Sequence, residues 1–137
     1  MTDEQTPIDC ADGLVRMGNT LVLIERLTAP FGLAITGGKI DPGETAEEAI
    51  DREFYEETGL TFVRKGVLGV YDAPGRDSRG RYVSTVFYGT AHGIVRAETA
   101  KTRVVLLPYA EIRRRRKDFV ADHFQIIEDY VRKHGLD

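Results

Sequence analysis

Between Glu44 and Thr58 the chain places seven carboxylates, Glu44, Glu47, Glu48, Asp51, Glu53, Glu56 and Glu57, beside a single cation, Arg52. Glu53, Glu56 and Glu57 stand at i, i+3 and i, i+4, the spacing that puts side chains on one helix face. Like charges placed so repel by roughly a few tenths of a kcal/mol per pair. Acids near a helix start are favoured by its dipole, and a solvated acidic face is the ordinary outcome. Glu56 and Glu57, however, fall in the last turn, where the dipole disfavours them. A divalent cation reverses the sign of that repulsion. Hard cations take oxygen ligands, and Mg²⁺ typically uses one or two carboxylates together with substrate phosphates and water. The cluster suits that role, although its spacing alone does not name a reaction.

The elements that must carry these groups follow from local pattern. Thr45 and Glu48 have the spacing of a capping box. Ala46, Ala49, Ile50 and Phe54 form an apolar stripe at helical period, and Gly59 is placed to end the helix in the left-handed conformation. Upstream, residues 9–17 and 20–27 read as strands joined by Gly18-Asn19, a hairpin signal. Residues 31–36 read as a short strand entering Gly37-Gly38, and Pro42-Gly43 marks a turn. Downstream, strands are expected at 60–73, bent near Gly66 or Gly69, at 82–95 and at 102–108. Pro108 is expected in the first turn of a short helix. Residues 118–135 form an amphipathic helix, with Phe119, Phe124, Ile127, Tyr130 and Val131 turned inward. Strands, helix, strands, helix imply a layered α/β domain with a mixed sheet.

Composition sets outer bounds. The 137 residues are the size of one domain, 1–137, with residues 1–7 as a loose arm. Hydrophobic residues make up 42% and charged residues 30%, ordinary globular values. A net charge of −3 gives no bulk case for binding nucleic acid or anionic membrane. With Cys10 as the one cysteine, neither an internal disulfide nor a thiolate zinc cluster is possible. No apolar run reaches the length of a membrane span, and the acidic start is unlike a signal peptide. A cytoplasmic location is the expectation. The basic run Arg113–Lys117 reads as a solvated surface.

Gly38, Glu44, Arg52-Glu53, Glu56-Glu57 and Gly59-Leu60, in this spacing, resemble the Nudix box of the Nudix hydrolases. Phe54 stands where an aliphatic residue is more usual, and Thr36 where many members have proline. The flanking strands extend the likeness to most of the chain. The resemblance implies an α/β/α sandwich around a mixed sheet. It implies metal-dependent hydrolysis of a nucleoside diphosphate linked to another group. Glu53, Glu56 and Glu57 would bind Mg²⁺, with Mn²⁺ as a substitute, and Gly38 would supply a carbonyl or a close approach. Arg52 would orient the glutamates, and Glu44 would fix the loop against the helix. The base that takes a proton from water is Glu53 or, in the loop after the second downstream strand, Glu98. Lys101 stands where related sequences often carry an acid.

The segment 72–84 is Gly/Arg-rich, and Arg76, Arg79 and Arg81 could offer bidentate donors to phosphate. Beside the box it resembles the ADP-ribose pyrophosphatase branch, as does the stretch holding Asp122-His123. ADP-ribose, giving AMP and ribose 5-phosphate, is therefore the expected substrate. The alternatives are a nucleoside triphosphate pyrophosphohydrolase acting on oxidised or noncanonical nucleotides, and a non-catalytic nucleotide sensor. The partner is a small nucleotide, with neither nucleic acid nor membrane. The resemblance also implies a homodimer.

Overall fold

The computed structural model describes residues 6–96 and 98–136. Most of the expected N-terminal arm, residues 1–5, lies outside them. Six strands form one sheet: β1 Ile8–Met17, β2 Thr20–Arg26, β3 Gly32–Lys39, β4 Thr61–Tyr71, β5 Tyr82–His92 and β6 Thr102–Pro108. Their order is β4-β5-β1-β3-β2-β6. β1 runs parallel to β5, and the other neighbours are antiparallel. The sheet is thus mixed, as expected. β1 is long enough to pair β3 with its first half and to close the Gly18-Asn19 hairpin on β2 with its last two residues.

Alternation along the strands feeds two cores. Ala11, Val15, Val22 and Phe87 face one side, where they meet Ala49, Ile50 and Phe54 of helix α1, Ala46–Thr58. Leu14, Leu21, Leu23 and Ile35 face the other, against Ile112 of α2, Tyr109–Arg114, and Ile126, Ile127 and Tyr130 of α3, His123–His134. These layers make the α/β/α sandwich. Ile50 and Phe54 are fully buried, each contributing roughly 1.5–3 kcal/mol.

Helix α1 begins as its sequence dictates. Thr45 accepts from the Glu48 N–H, Glu48 accepts from the Thr45 N–H, and Gly59 ends the helix at φ 75°. The electrostatic problem of acids in the last turn has a tertiary answer. Arg96, from the loop after β5, donates to the carbonyls of Tyr55 and Glu56 at 2.8 and 2.6 Å, placing a cation at the negative end.

Several boundaries differ from expectation, and β3 runs on through Gly37 and Gly38 to Lys39. β5 stops at His92, because Gly93 turns the chain at φ 121°. Pro108 is the N-cap of α2 rather than part of its first turn. The last helix starts at His123, five residues later than expected. Residues 119–123 run instead beside β3, where the Val120 N–H bonds to the Leu33 carbonyl at 2.9 Å. Ile126 is a fully buried α3 residue, while Phe124 and Val131 pack only partly. β4 is bent at both expected glycines, with register shifts at Arg64/Gly66 and Val67/Gly69.

Candidate functional site

A cleft of about 690 Å³ opens where α1, the ends of β1 and β3, and the loops after β4 and β5 meet. Glu53, Glu56 and Glu57 line it together with Gly37, Gly38, Asp12 and His123. The helical spacing read from sequence therefore brings all three glutamates to one wall. Gly38 closes against that wall. A Cβ added there would lie 2.5 Å from the Glu53 carboxyl carbon, so a larger residue would push that carboxylate from its place.

Arg52 organises the acids. Its Nε and Nη2 grip Glu44 at 2.6 and 3.0 Å, and its Nη1 reaches Glu53 at 3.2 Å and Glu56 at 3.3 Å. Nη2 also donates to the Lys39 carbonyl at 3.1 Å. Such charge-assisted pairs are strong, and the guanidinium lowers the Glu44 pKa to about 2. Glu44 thereby ties the loop to the helix, the role the Nudix resemblance implied for it. Glu57 accepts the Gly37 N–H at 3.0 Å. Burial pushes the pKa of Glu57 well up, opposed by that hydrogen bond. Burial also raises Glu53, opposed by Arg52.

These groups fit a hard divalent cation. Every donor is oxygen, and burial leaves Glu53 and Glu57 short of compensating positive charge. Among the described residues no three His, Cys, Asp or Glu side chains already form a closed metal cage. The glutamates are held apart by their separate partners, Arg52 and Gly37.

The arginines expected to bind phosphate are placed differently. Arg76 is held by the protein's own groups. Its side chain is 4% exposed, and its guanidinium is consumed by Asp122 at 2.9 and 2.8 Å, the Tyr82 carbonyl at 3.2 Å and Ser84 at 3.1 Å. Arg79 lines the cleft but is bidentate to Asp77 at 2.9 and 2.7 Å and lies over the Tyr82 ring. Arg81 donates to the Asp72 carbonyl and is not among the cleft-lining residues. Glu98 also departs from its expected role. It pairs with Arg103 across an isolated bridge, at 3.7 Å, and does not line the cleft. Lys101 does line it. Arg113–Lys117 is a surface run: Arg114 pairs with Glu111 and Arg115 with Asp118.

Sequence reasoning missed Asp12 and Ser84. Both are buried on the cleft floor. Desolvation raises the Asp12 pKa to about 7, opposed by hydrogen bonding to Ser84 and by Arg76. An acid inside the apolar run of β1 was the available signal. Cys10, also at the cleft, is pushed up to about 12 by burial, so its thiol stays protonated.

Residues 7–130 match the NUDIX domain. An ADP-ribose pyrophosphatase of Methanocaldococcus jannaschii is 38% identical over 130 residues, covering 92% of this chain and 74% of that protein. Two solved structures share the fold. A bifunctional NMN adenylyltransferase/ADP ribose pyrophosphatase of Francisella tularensis, complexed with AMP and a Mn ion, superposes with TM-score 0.85 at 23% identity. That match covers 96% of this chain but only 43% of the larger one. A NUDIX hydrolase of Nitrosomonas europaea gives 0.82 at 24% identity, covering 93% and 90%.

Proposed function

The chain belongs to the NUDIX family and is a Nudix hydrolase, and from that premise we propose that it hydrolyses ADP-ribose to AMP and ribose 5-phosphate. The near full-length likeness to the archaeal pyrophosphatase carries the substrate. The family works with divalent metal ions, and we take Mg²⁺ as the working ion, with Mn²⁺ able to replace it.

Glu53, Glu56, Glu57 and the Gly38 carbonyl are the groups proposed to hold the ion. When bound, the ion shields the diphosphate charge and acidifies water. Arg52 keeps Glu53 and Glu56 turned to the cleft. Glu53 is the proposed base. It lies at the cleft wall with its pKa raised by burial, which makes its carboxylate a better proton acceptor near neutral pH. Glu53 is preferred to Glu98, which pairs with Arg103 and is not among the cleft-lining residues.

The diphosphate needs cations that are not already spent. Arg26, Lys39 and Lys101 line the cleft without an ion pair among the described contacts. Arg26 is held by the Pro30 and Ala29 carbonyls at 2.6 and 3.1 Å, which fixes its position without neutralising it. These three replace Arg76 and Arg81 as the proposed phosphate contacts, and Arg79 keeps a place at the wall.

A cytoplasmic location and a homodimer complete the proposal. Cys10 is a free, buried thiol, in keeping with a reducing compartment. The edge strand β4 leaves Val63, Val67 and Val70 exposed, and exposed apolar edges invite pairing. No helix among the described residues is long and apolar enough to cross a membrane. Product analysis tests the reaction. Equal amounts of AMP and ribose 5-phosphate from ADP-ribose and Mg²⁺ are expected. Saturable ADP-ribose binding without products would place the chain among nucleotide sensors.

A further inference from the structure

The two stretches that resembled the ADP-ribose branch, Arg76 with its neighbours and Asp122-His123, are partners of each other. They are 46 residues apart, and their ion pair is bidentate and largely buried. Asp122 occupies the N-cap of α3, the position where its carboxylate would ordinarily bind the first helical N–H groups. It makes no such bond, because both oxygens are given to Arg76. A helix cap has been surrendered to something else.

The pair leads to the catalytic wall. Arg76 Nη1 donates to Ser84 on β5 at 3.1 Å, and Ser84, opposite Cys10 in the β1–β5 pairing, is buried in the cleft with Asp12, two residues further along β1. Asp12 stands opposite Gly37 in the β1–β3 pairing. A Cβ added to Gly37 would lie 2.1 Å from Asp12 Oδ1, and φ of +140° also demands glycine there. The Gly37 N–H in turn holds Glu57 at 3.0 Å. The same terminal segment grips β3 a second time, because His123 Nδ1 accepts the Ile35 N–H at 3.1 Å, two residues before Gly37.

We propose that Asp122, Arg76 and Ser84 are positioning residues, which fix Asp12 against Gly37 of β3 so that Glu57 is presented to the divalent ion. Outer partners of this kind orient the groups that touch the metal. The inference rests on the metal site of the family and not on ADP-ribose as the substrate.

The test is Mn²⁺ binding to the whole chain without nucleotide, read by the electron paramagnetic resonance of free Mn²⁺. Arg76→Lys, Asp122→Asn and Ser84→Ala are compared with Asp51→Asn, which breaks only a surface pair with Arg64. The first three should raise the Mn²⁺ dissociation constant by roughly 10- to 100-fold, and Asp51→Asn should not. With ADP-ribose, kcat should fall while KM holds, the pattern of an interaction felt at the reacting centre. If Arg76→Lys and Asp122→Asn fail to fold, Ser84→Ala decides by the same reading, since it leaves the ion pair intact. Two results overturn the proposal. One is a raised KM with normal kcat and normal Mn²⁺ binding, which would make Arg76 a substrate contact. The other is a lowered melting temperature with both readouts unchanged, which would make the network purely structural. Because nucleotide is absent from the Mn²⁺ titration, its outcome is independent of which nucleotide is hydrolysed.

Discussion

Glu57 shows how one side chain serves two demands. Its carboxylate is desolvated, which disfavours charge, yet the ion needs that charge. Glu57→Gln keeps an acceptor for the Gly37 N–H and removes the buried charge. The metal-free variant should melt no lower than the parent, while Mn²⁺ affinity and turnover collapse; calorimetry and a rate assay check the two halves. Glu53→Gln should lower kcat by about 10²- to 10⁴-fold if Glu53 takes the proton. Glu98→Gln should leave kcat at the parent value. An equal loss in both variants would return Glu98 to the chemistry. At this scale the metal-type glutamates were legible because three acids on one helix face are themselves the signal. The role of Arg76 was not. An arginine in a polar loop looks free until its partner, 46 residues on, is brought beside it.

Elements were legible where the information is local. The capping box and Gly59 define α1 from within fifteen residues, and the structure reproduces both ends. Thr45→Ala should destabilise the chain by about 1 kcal/mol, measured by urea unfolding, with kcat unchanged. The start of α3 was misplaced because tertiary contacts override a helical pattern there. Phe119–Asp122 satisfy their backbone and side chains against β3 and Arg76 instead of extending the helix. His123 carries a pH consequence of that packing. Lost hydration moves its pKa down from 6.5 to about 4, so the folded chain prefers the neutral ring, which accepts from Ile35. The stability it provides is full above about pH 6.5 and is lost as pH falls toward about 4. Asp12, Glu53 and Glu57, whose pKa values are raised by burial, act in the opposite sense over the same range, so the histidine is read as a difference: relative to the parent, His123→Gln should gain urea stability as pH falls from 7 to 4. An unchanged slope in the variant would assign the acid limb to other groups.

At the scale of the molecule, the layered α/β class followed from element order, but the strand order did not. Parallel pairing of β1 with β5 joins segments some 74 residues apart, as Ile8 with Tyr82, and nothing local announces it. That pairing nevertheless builds the cleft floor, since it sets Ser84 opposite Cys10 and two residues from the position facing Asp12. The sandwich thus brings one helix of carboxylates, the glycine pair of β3 and the cations Arg26, Lys39 and Lys101 around one cleft. Metal binding to the folded chain alone should raise stability by mass action, by about 2.7 kcal/mol at a hundred times the dissociation constant. A Mg²⁺ titration followed by melting temperature would read this directly. The central claim concerns what fills the cavity beside the ion. The measurement that tests it most directly is kcat/KM for ADP-ribose against normal and oxidised nucleoside triphosphates, with Mg²⁺ and product identification. A dominant value for ADP-ribose, with AMP released, is the expected result. Preference for a triphosphate would contradict it, leaving the carboxylate chemistry in place and assigning the cavity to a different substrate.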